Sequence, residues 1–454
     1  MNTQPHEYHY LQFVKFKDLN FWDYKSYFRP EGTKHLYETI VLREVLKHRK
    51  EFITIDDKQE YKRCRVQLHA KGIVLRDMVK GAAIKTKKQQ VCRTEDFLVA
   101  EIDAKFGGYG IVPSELHDAI VSSHYFLFEV NQERLHTDFF RLYLATNDFG
   151  NQVVATGSTN YAAIRPHHVL GYHVPLPPLD VQERLVSAYN ARVREAERCE
   201  QEAAATEHGI ERYILDMLGI EITQTERKKG LQFVRFKDLE QWGVEKVLEK
   251  RFISAMRYQA VTLLDNPHLY YEAFRGKSPQ YDSSSQSMIL NQKCNRWNMI
   301  EIHHAKPVRH SWLSSIEKKF FTRSDDILIN STGEGTIGRS SVIEQELAGL
   351  LYDSHLLLVR LNSSYILPHY FVEIFNSQYG QKQVEILKSA VTTKQTELGV
   401  DNLKKIPIPL PPLDVQAEIV QTVSSMKSRI KELRAKAETL RRKAKEAFEK
   451  ELFA

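Results

Sequence analysis

The chain has 454 residues, 42% hydrophobic and 27% charged, a mean hydropathy of −0.43 and a net charge of +6. That is a folded composition of two to four domains, not a disordered or collagen-like one, and no apolar run reaches the ~18 residues of a membrane helix. The opening MNTQPHEYHYLQF predicts no secretory leader, and four dispersed cysteines with no CxxC pair predict a reducing cytoplasm rather than a zinc site or disulfide framework.

Taken in order, the chain repeats itself. LQFVKFKDL (11–19) returns as LQFVRFKDL (231–239), and RTEDFLV (93–99) returns as RSDDILI (323–329). SSHYFL (122–127) returns as DSHLLL (353–358), and PLPPLDVQ (175–182) returns unchanged at 409–416. Four matches in one order, at slowly widening separations, predict two copies of one unit. Each copy is large enough for its own core, and the pair implies an approximate internal two-fold.

Within copy one, residues 58–93 hold eleven Lys and Arg against Glu60 and Asp77. Copy two has a counterpart at 293–323, with Lys293, Arg296, Lys306, Arg309, Lys318, Lys319 and Arg323 against Glu301 and Glu317, and with His303, His304 and His310 nearby. A basic cluster at equivalent places in two copies points to a polyanion, and a solvated face is the blander reading. The segments DFLVAEID, AIVSSHYFLFEV, DDILINS and SHLLLVRL read as short strands. Helices are expected around HTDFFRLYLATNDFG and LPHYFVEIFNSQYG, so each copy is an α+β domain.

Each domain is followed by a long helix. Pro177-Pro178 and Pro411-Pro412 suit a helix start, and Asp180 and Asp414 place acid in the first turn. In the last helix Ile419, Val423, Met426, Ile430, Leu433, Ala437, Leu440, Ala444 and Ala447 recur at alternating four and three spacing, a coiled-coil seam. The central helix offers Val186, Tyr189, Val193, Ala196, Ala203, Ile210, Ile214 and Met217, interrupted by Glu200 and Glu207, and Gly209 weakens it by roughly 1 kcal/mol. So narrow a seam calls for a partner, and the expected partner is the other copy's helix, antiparallel. The expected division is a domain at 1–175, a central helix at 176–220, a linker at 221–230, a second domain at 231–408 and a terminal helix at 409–454.

Three other patterns compete. GEGTIGRS (333–340) approaches a phosphate loop but has Arg339 in place of Lys, and a glycine-rich turn between strands is expected instead. Asp96 with Asp103 and Lys105 has the loose spacing of a metal-dependent nuclease, but copy two has Gly333 and Gly335 at the last two places. His124 and His355 fall at matched strand starts, where a structural role is expected.

The order domain, PLPPLDVQ helix, domain, PLPPLDVQ helix, with DDILINSTGEGTIGR, DSHLLLVRL and TTKQTELGVDNLKKIPIPLPPLDVQAEIV, resembles the specificity subunit of type I restriction-modification systems over nearly the whole chain. The resemblance implies two target recognition domains joined by two helices in an antiparallel coiled coil. It implies that the chain reads a bipartite, gapped DNA site, one half per domain, with helix length fixing the gap. It implies no catalysis and no cofactor on this chain. S-adenosylmethionine is expected on two adenine-N6 methyltransferase partners, and ATP and Mg on the ATP-dependent restriction subunits. A combined restriction-methylation enzyme as partner, a metal-dependent nuclease, and a coiled-coil scaffold without nucleic acid are the alternatives.

On this reading the basic and amide residues of the matched segments become the expected DNA contacts. In copy one they are Lys85, Lys87, Lys88, Arg93, Lys105, Tyr109, Asn160, Tyr161 and Arg165. In copy two they are Arg296, His303, His304, Lys306, Arg309, Ser331, Thr332, Thr336, Arg339, Thr393, Lys394 and Gln395.

Overall fold

The computed structural model describes residues 34–153, 163–222, 253–390 and 396–454. Both copies of the LQFV motif, most of the 221–230 linker, residues 158–162 of STNYAAIRP and the TTKQ of 392–395 lie outside the described residues. The chain divides into two units, Met1–Cys199 with Lys436–Ala454, and Glu200–Ala435.

In the first unit the strands are β1 (Thr39–Val41), β2 (Leu46–Arg49), β3 (Phe52–Thr54), β4 (Glu60–Val66), β5 (Ile73–Lys80), β6 (Lys88–Val91), β7 (Phe97–Ala100), β8 (Tyr109–Ile111), β9 (Ile120–Val121), β10 (Tyr125–Val130) and β11 (His173–Pro175). They form a four-stranded sheet β2-β10-β7-β8, a five-stranded sheet β3-β6-β9-β4-β5 and a pair β1-β11. The short FLVA of β7 is buried along its whole length, as expected of a central strand without polar alternation. Phe97, Phe128, Phe140 and Phe149 pack edge-on or tilted around it in the core.

The second unit has β12 (Glu221–Ile222), β13 (Ile253–Ala255), β14 (Ala260–Val261), β15 (Tyr270–Arg275), β16 (Met288–Leu290), β17 (Lys306–Pro307), β18 (Ile327–Asn330), β19 (Ser340–Val342), β20 (Leu351–Tyr352), β21 (Leu356–Leu361), β22 (Ser389–Ala390), β23 (Thr396–Glu397) and β24 (Ile408–Pro409). Its four-stranded sheet runs β15-β21-β18-β19, the order of the first unit's sheet, and β14 pairs with β24 as β1 pairs with β11. The second sheet differs. It has three strands, β17-β16-β20, and among the described residues nothing takes the place of the long β4-β5 hairpin. The duplicated sequence thus builds a duplicated core, while the segment between the first two core strands of each unit in chain order, β2 to β7 and β15 to β18, folds differently.

The motif RTEDFLV/RSDDILI places one buried aspartate at the same point of both cores. Asp96 and Asp326 each accept the backbone N–H of the arginine three residues earlier, at 2.7 Å. Each also meets a guanidinium, Arg49 of β2 for Asp96 and Arg360 of β21 for Asp326. Asp96 is therefore occupied by a structural ion pair, which removes it from the nuclease pattern. GEGTIG closes the antiparallel β18-β19 hairpin, with Gly333, Gly335 and Gly338 at positive φ. It is the glycine-rich turn the sequence predicts, and it presents no helix N-terminus to a phosphate.

Both long helices form, Leu179–Leu218 and Leu413–Leu452, each ~60 Å long at 1.5 Å per residue. They run antiparallel where they meet. In the first unit Arg184 reaches Glu451 (3.3 Å) and Glu195 reaches Lys436 (3.0 Å). In the second, Glu202 meets Arg429 (2.8 Å) and Glu207 meets Arg434 (2.6 Å). Such exposed pairs are screened by solvent and contribute little, so they set register more than stability. Stability comes from the seam, where Ala196, Ala203, Ile430, Leu433, Ala437 and Ala444 are buried. The helices also pack on the globular cores, Leu185, Val186, Phe448 and Leu452 in the first unit and Ile214, Leu218, Ile419 and Val423 in the second.

The seam departs from expectation at three places. Glu200 and Glu207 do not interrupt it but face solvent, and Cys199 takes the buried position. Phe448 and Leu218 are buried where Ala447 and Met217 were expected, because 3.6 residues per turn drifts against a strict seven-residue count. The cysteines are all free and buried. Two that are distant in sequence nevertheless meet, with the Sγ atoms of Cys64 and Cys92 3.6 Å apart.

Candidate nucleic-acid interface

In the first unit the basic run folds into β4, β5 and β6, and strand alternation sorts its charges onto two faces. Arg63, Arg65, Arg76 and Lys85 converge with Thr86, Gln89, Ser122 and Tyr125 on one cleft of about 390 Å³. Arg65, Arg76 and Lys85 are exposed there. Arg63 is clamped by Asp77 through two bonds of 2.7 Å and holds that carboxyl below its ordinary range. Arg93, by contrast, is gripped by Glu51 and Asp118, and Lys87 by Asp57 and by the Gly81 carbonyl (2.8 Å). Lys88 lies over the Phe52 ring, 4.9 Å from its centre.

The remaining expected contacts of this unit lie around the β7-β8 hairpin. Lys105 lies over the Phe106 ring at 4.9 Å. Glu101 gathers Arg165 and His124, the latter at 2.9 Å. Tyr109 is a correction. It is fully buried against Phe97 and Phe149, its hydroxyl is pushed up to about 12 by burial, and it belongs to the core. Asn160 and Tyr161 lie outside the described residues.

In the second unit the basic segment follows an exposed turn. Arg296 donates to Glu301 Oε2 (3.0 Å) and touches His304 Nε2 (3.2 Å), and the rings of His303 and His304 lie 4.0 Å apart. Glu301, His303 and His304 are the group among the described residues whose donor atoms could surround a metal ion. Arg296 already fills that space and holds the Glu301 carboxyl low, so the donor set favours an ion pair over a metal. Lys306 lies over Tyr281, 5.1 Å from the ring centre, and Arg309 is exposed.

Beside the β18-β19 hairpin is a cavity of about 430 Å³ lined by Gln292, Thr332, Glu334, His355, Lys388 and Thr396. The Thr332 hydroxyl lies 2.7 Å from His355 Nδ1 and donates to Gln292 Oε1 (3.3 Å). The Thr336 hydroxyl donates back to the Gly333 carbonyl (3.0 Å) and so stabilises the turn. Arg339 lies over Trp297, 5.6 Å from the ring centre. Ser331 is a correction of the same kind as Tyr109. It is fully buried, and its hydroxyl donates to the Leu398 carbonyl (2.9 Å). Thr393, Lys394 and Gln395 lie outside the described residues.

The structure therefore separates residues that the sequence treats alike. Arg63, Arg93, Arg165 and Arg296 are bonded to acidic partners. Arg65, Arg76, Lys85 and Arg309 face solvent, with Asp77 no nearer to Arg76 than 3.7 Å. Arg65, Arg76, Gln89 and Gln292 were not among the expected contacts. The period-two alternation of β4 and β5 carried the signal for the two arginines.

Residues 284–441 match the family model described as the type I restriction modification DNA specificity domain. Most of that stretch lies in the second unit, Glu200–Ala435. Across 131 residues the chain is 34% identical to a protein of Methanocaldococcus jannaschii named as the type I restriction enzyme MjaX specificity subunit. That match spans 28% of this chain and 30% of the relative. Among solved structures, the chain resembles the HsdS subunit from Thermoanaerobacter tengcongensis with a TM-score of 0.50, at 19% identity over 93% of this chain and 97% of that one. It also resembles a chain from a study of complex assembly and conformational transition in the type I R-M system, with a TM-score of 0.56, at 20% identity over 93% and 98%. At these identities the solved structures show the fold. The expected fold class therefore holds, a repeated α+β unit with two long helices packed together antiparallel.

Proposed function

We propose that the chain recognises double-stranded DNA as the specificity subunit of a type I restriction-modification system. The observation that carries this reading is the specificity domain at 284–441, which contains the basic segment 293–323 with Lys306 and Arg309 exposed. The first unit supports it with a cleft of exposed Arg65, Arg76 and Lys85. Phosphate contacts from such residues position a domain on the duplex, and base-edge contacts specify the sequence.

On this reading each unit reads one half of a gapped site, and the helix pair fixes the gap. The chain performs no chemistry. It works in the cytoplasm, docking two adenine-N6 methyltransferase subunits, which bring S-adenosylmethionine, and restriction subunits, which use ATP and Mg. Extrusion of the target adenine is left to the methyltransferase, which needs a duplex held in register.

Mapping N6-methyladenine across the host genome by single-molecule sequencing, with this gene intact and deleted, tests the reading. Deletion should remove a split, gapped motif, and exchanging residues 231–405 should change one half of it. If a chain reconstituted with its neighbouring methyltransferase methylates no such motif, the proposal fails.

A further inference from the structure

In each unit a short turn is fastened to the hairpin that ends the four-stranded sheet, and the fastening holds apolar side chains out in solvent. In the second unit the turn is Arg296–Met299. The Asn298 N–H donates to the Ser340 carbonyl (3.1 Å), and Ser341 Oγ donates to the carbonyls of Arg296 (2.9 Å) and Met299 (3.1 Å). Asn376 donates to the Asn298 side chain (3.0 Å). Beneath the turn the fully buried Asn295 donates to the carbonyls of Leu328 and Arg339. So braced, the turn leaves Trp297 45% and Met299 54% exposed.

The first unit reaches the same result with a different loop. The tip between β4 and β5 places His69 and Ala70 at positive φ, and their N–H groups donate to the carbonyls of Phe106 (2.7 Å) and Gly107 (2.9 Å). A Cβ at Gly107 would sit 2.6 Å from the Ala70 nitrogen, so the contact needs glycine there. Here Phe106 of the β7-β8 hairpin is 52% exposed, and Leu68 in the tip is 42% exposed.

Exposed apolar side chains cost hydration free energy, and a loose loop would fold them in. These are denied that escape by their hydrogen bonds. Both aromatic rings also carry a cation, Arg339 over Trp297 and Lys105 over Phe106. A rigid apolar tip with basic side chains around it matches a surface whose charge lies outside and whose flat apolar faces lie inside. Stacked bases between two phosphate backbones are that surface.

We infer that Trp297 and Met299 in the second unit, and Phe106 and Leu68 in the first, make apolar contact with the bases of the target. The inference rests on the DNA-recognition reading above and adds the residues that touch the base stack. Basic side chains nearby then hold phosphate, and the tips discriminate among base steps.

The test uses the full chain with its methyltransferase subunits, expressed in cells without other adenine methylation and read by methylome sequencing. Trp297→Ala should relax one half of the motif, with a loss of at least tenfold in methylation there, and leave the other half as in the wild type. Phe106→Ala should do the converse. Trp297→Phe should restore most of the discrimination, and Tyr271→Ala, on an exposed side chain of β15, should change nothing. Met299→Ala gives the second reading should Trp297→Ala unfold.

A wild type that methylates no gapped motif overturns the DNA reading itself. A wild-type motif that survives both alanine variants unchanged overturns this inference alone. A variant that no longer assembles with the methyltransferase, yet keeps both halves in the complexes that do form, also overturns it and makes the tips a protein-docking surface.

Discussion

Gln182 and Gln416, the last residues of the two PLPPLDVQ motifs, make the same three hydrogen bonds. Gln182 accepts the His136 N–H (2.8 Å) and donates to the carbonyls of Pro177 (2.8 Å) and Arg134 (3.0 Å). Gln416 accepts the Leu367 N–H (2.9 Å) and donates to the carbonyls of Pro411 (2.9 Å) and Tyr365 (3.0 Å). Both are fully buried. His136 and Leu367 are the N-caps of the short helices Thr137–Leu144 and Pro368–Asn376, so each glutamine joins the start of a long helix to the start of a short one. Either Gln→Ala change leaves buried backbone groups without partners. Each should lower the unfolding free energy in urea by about 2–3 kcal/mol, and Gln→Glu should not rescue it, because a carboxylate cannot donate.

Arg360 and Arg49 meet the equivalent aspartates from neighbouring strands of the repeated sheet. Arg360 binds Asp326 through bonds of 2.7 and 2.8 Å and is itself nearly buried. Arg360→Met strands a buried carboxylate and should cost about 3–5 kcal/mol, with Asp326→Asn added to recover part of it. Arg49, more exposed, should cost less when changed to Met. Burial pushes the Asp326 carboxyl up, and loss of the Arg360 guanidinium that binds it pushes it further the same way. A carboxyl raised above its unfolded value holds its proton more tightly in the native state, so its contribution is lost as pH rises. Urea unfolding of Arg360→Met should therefore show a larger deficit at pH 8 than at pH 6.

Exposed and partnered cations should differ in the salt dependence of DNA binding. Changing Arg65, Arg76 and Lys85 together to Gln should reduce the slope of log K against log salt by up to ~2.7, at ~0.9 for each phosphate no longer neutralised. Arg93→Gln removes a cation already held by Glu51 and Asp118, and should leave the slope unchanged. Fluorescence anisotropy of a labelled duplex over a KCl series distinguishes the two.

Gly209 lies inside the central helix, and a Cβ there would sit 3.4 Å from the flexible end of Met426. Gly209→Ala should raise stability by about 0.5–1 kcal/mol, read as an upward shift in Tm without loss of helical circular dichroism.

The duplication and the helix pair were legible because each rests on a local rule. A repeated motif is visible without any fold, and a seam is visible at a spacing of three and four. The strands of the core were legible for the same reason, as in FLVA and LLLVRL. The charged site was legible only as a patch. Arg93 lost its freedom to Glu51 and Asp118, Arg165 to Glu101, and Cys64 gained Cys92, all through pairings set by sheet topology. Tyr109 sits among glycines and reads as a loop residue, yet it begins β8 and points into the core. The two β-rich insertions share no strand order, so no comparison of the copies could have predicted the pinned tips.

Neither long helix is broken, and each contributes one stretch to the first unit and another to the second. A residue inserted midway would advance the rest of that helix by 1.5 Å and rotate it by about 100°, turning buried alanines such as Ala196 and Ala203 out of their seam. Only insertions near a whole number of turns, three or four residues or seven, return the small side chains to the inside. Length in this protein is thus granular. Viable relatives should differ in these helices by turns, never by single residues, and any quantity that depends on helix length should change in jumps.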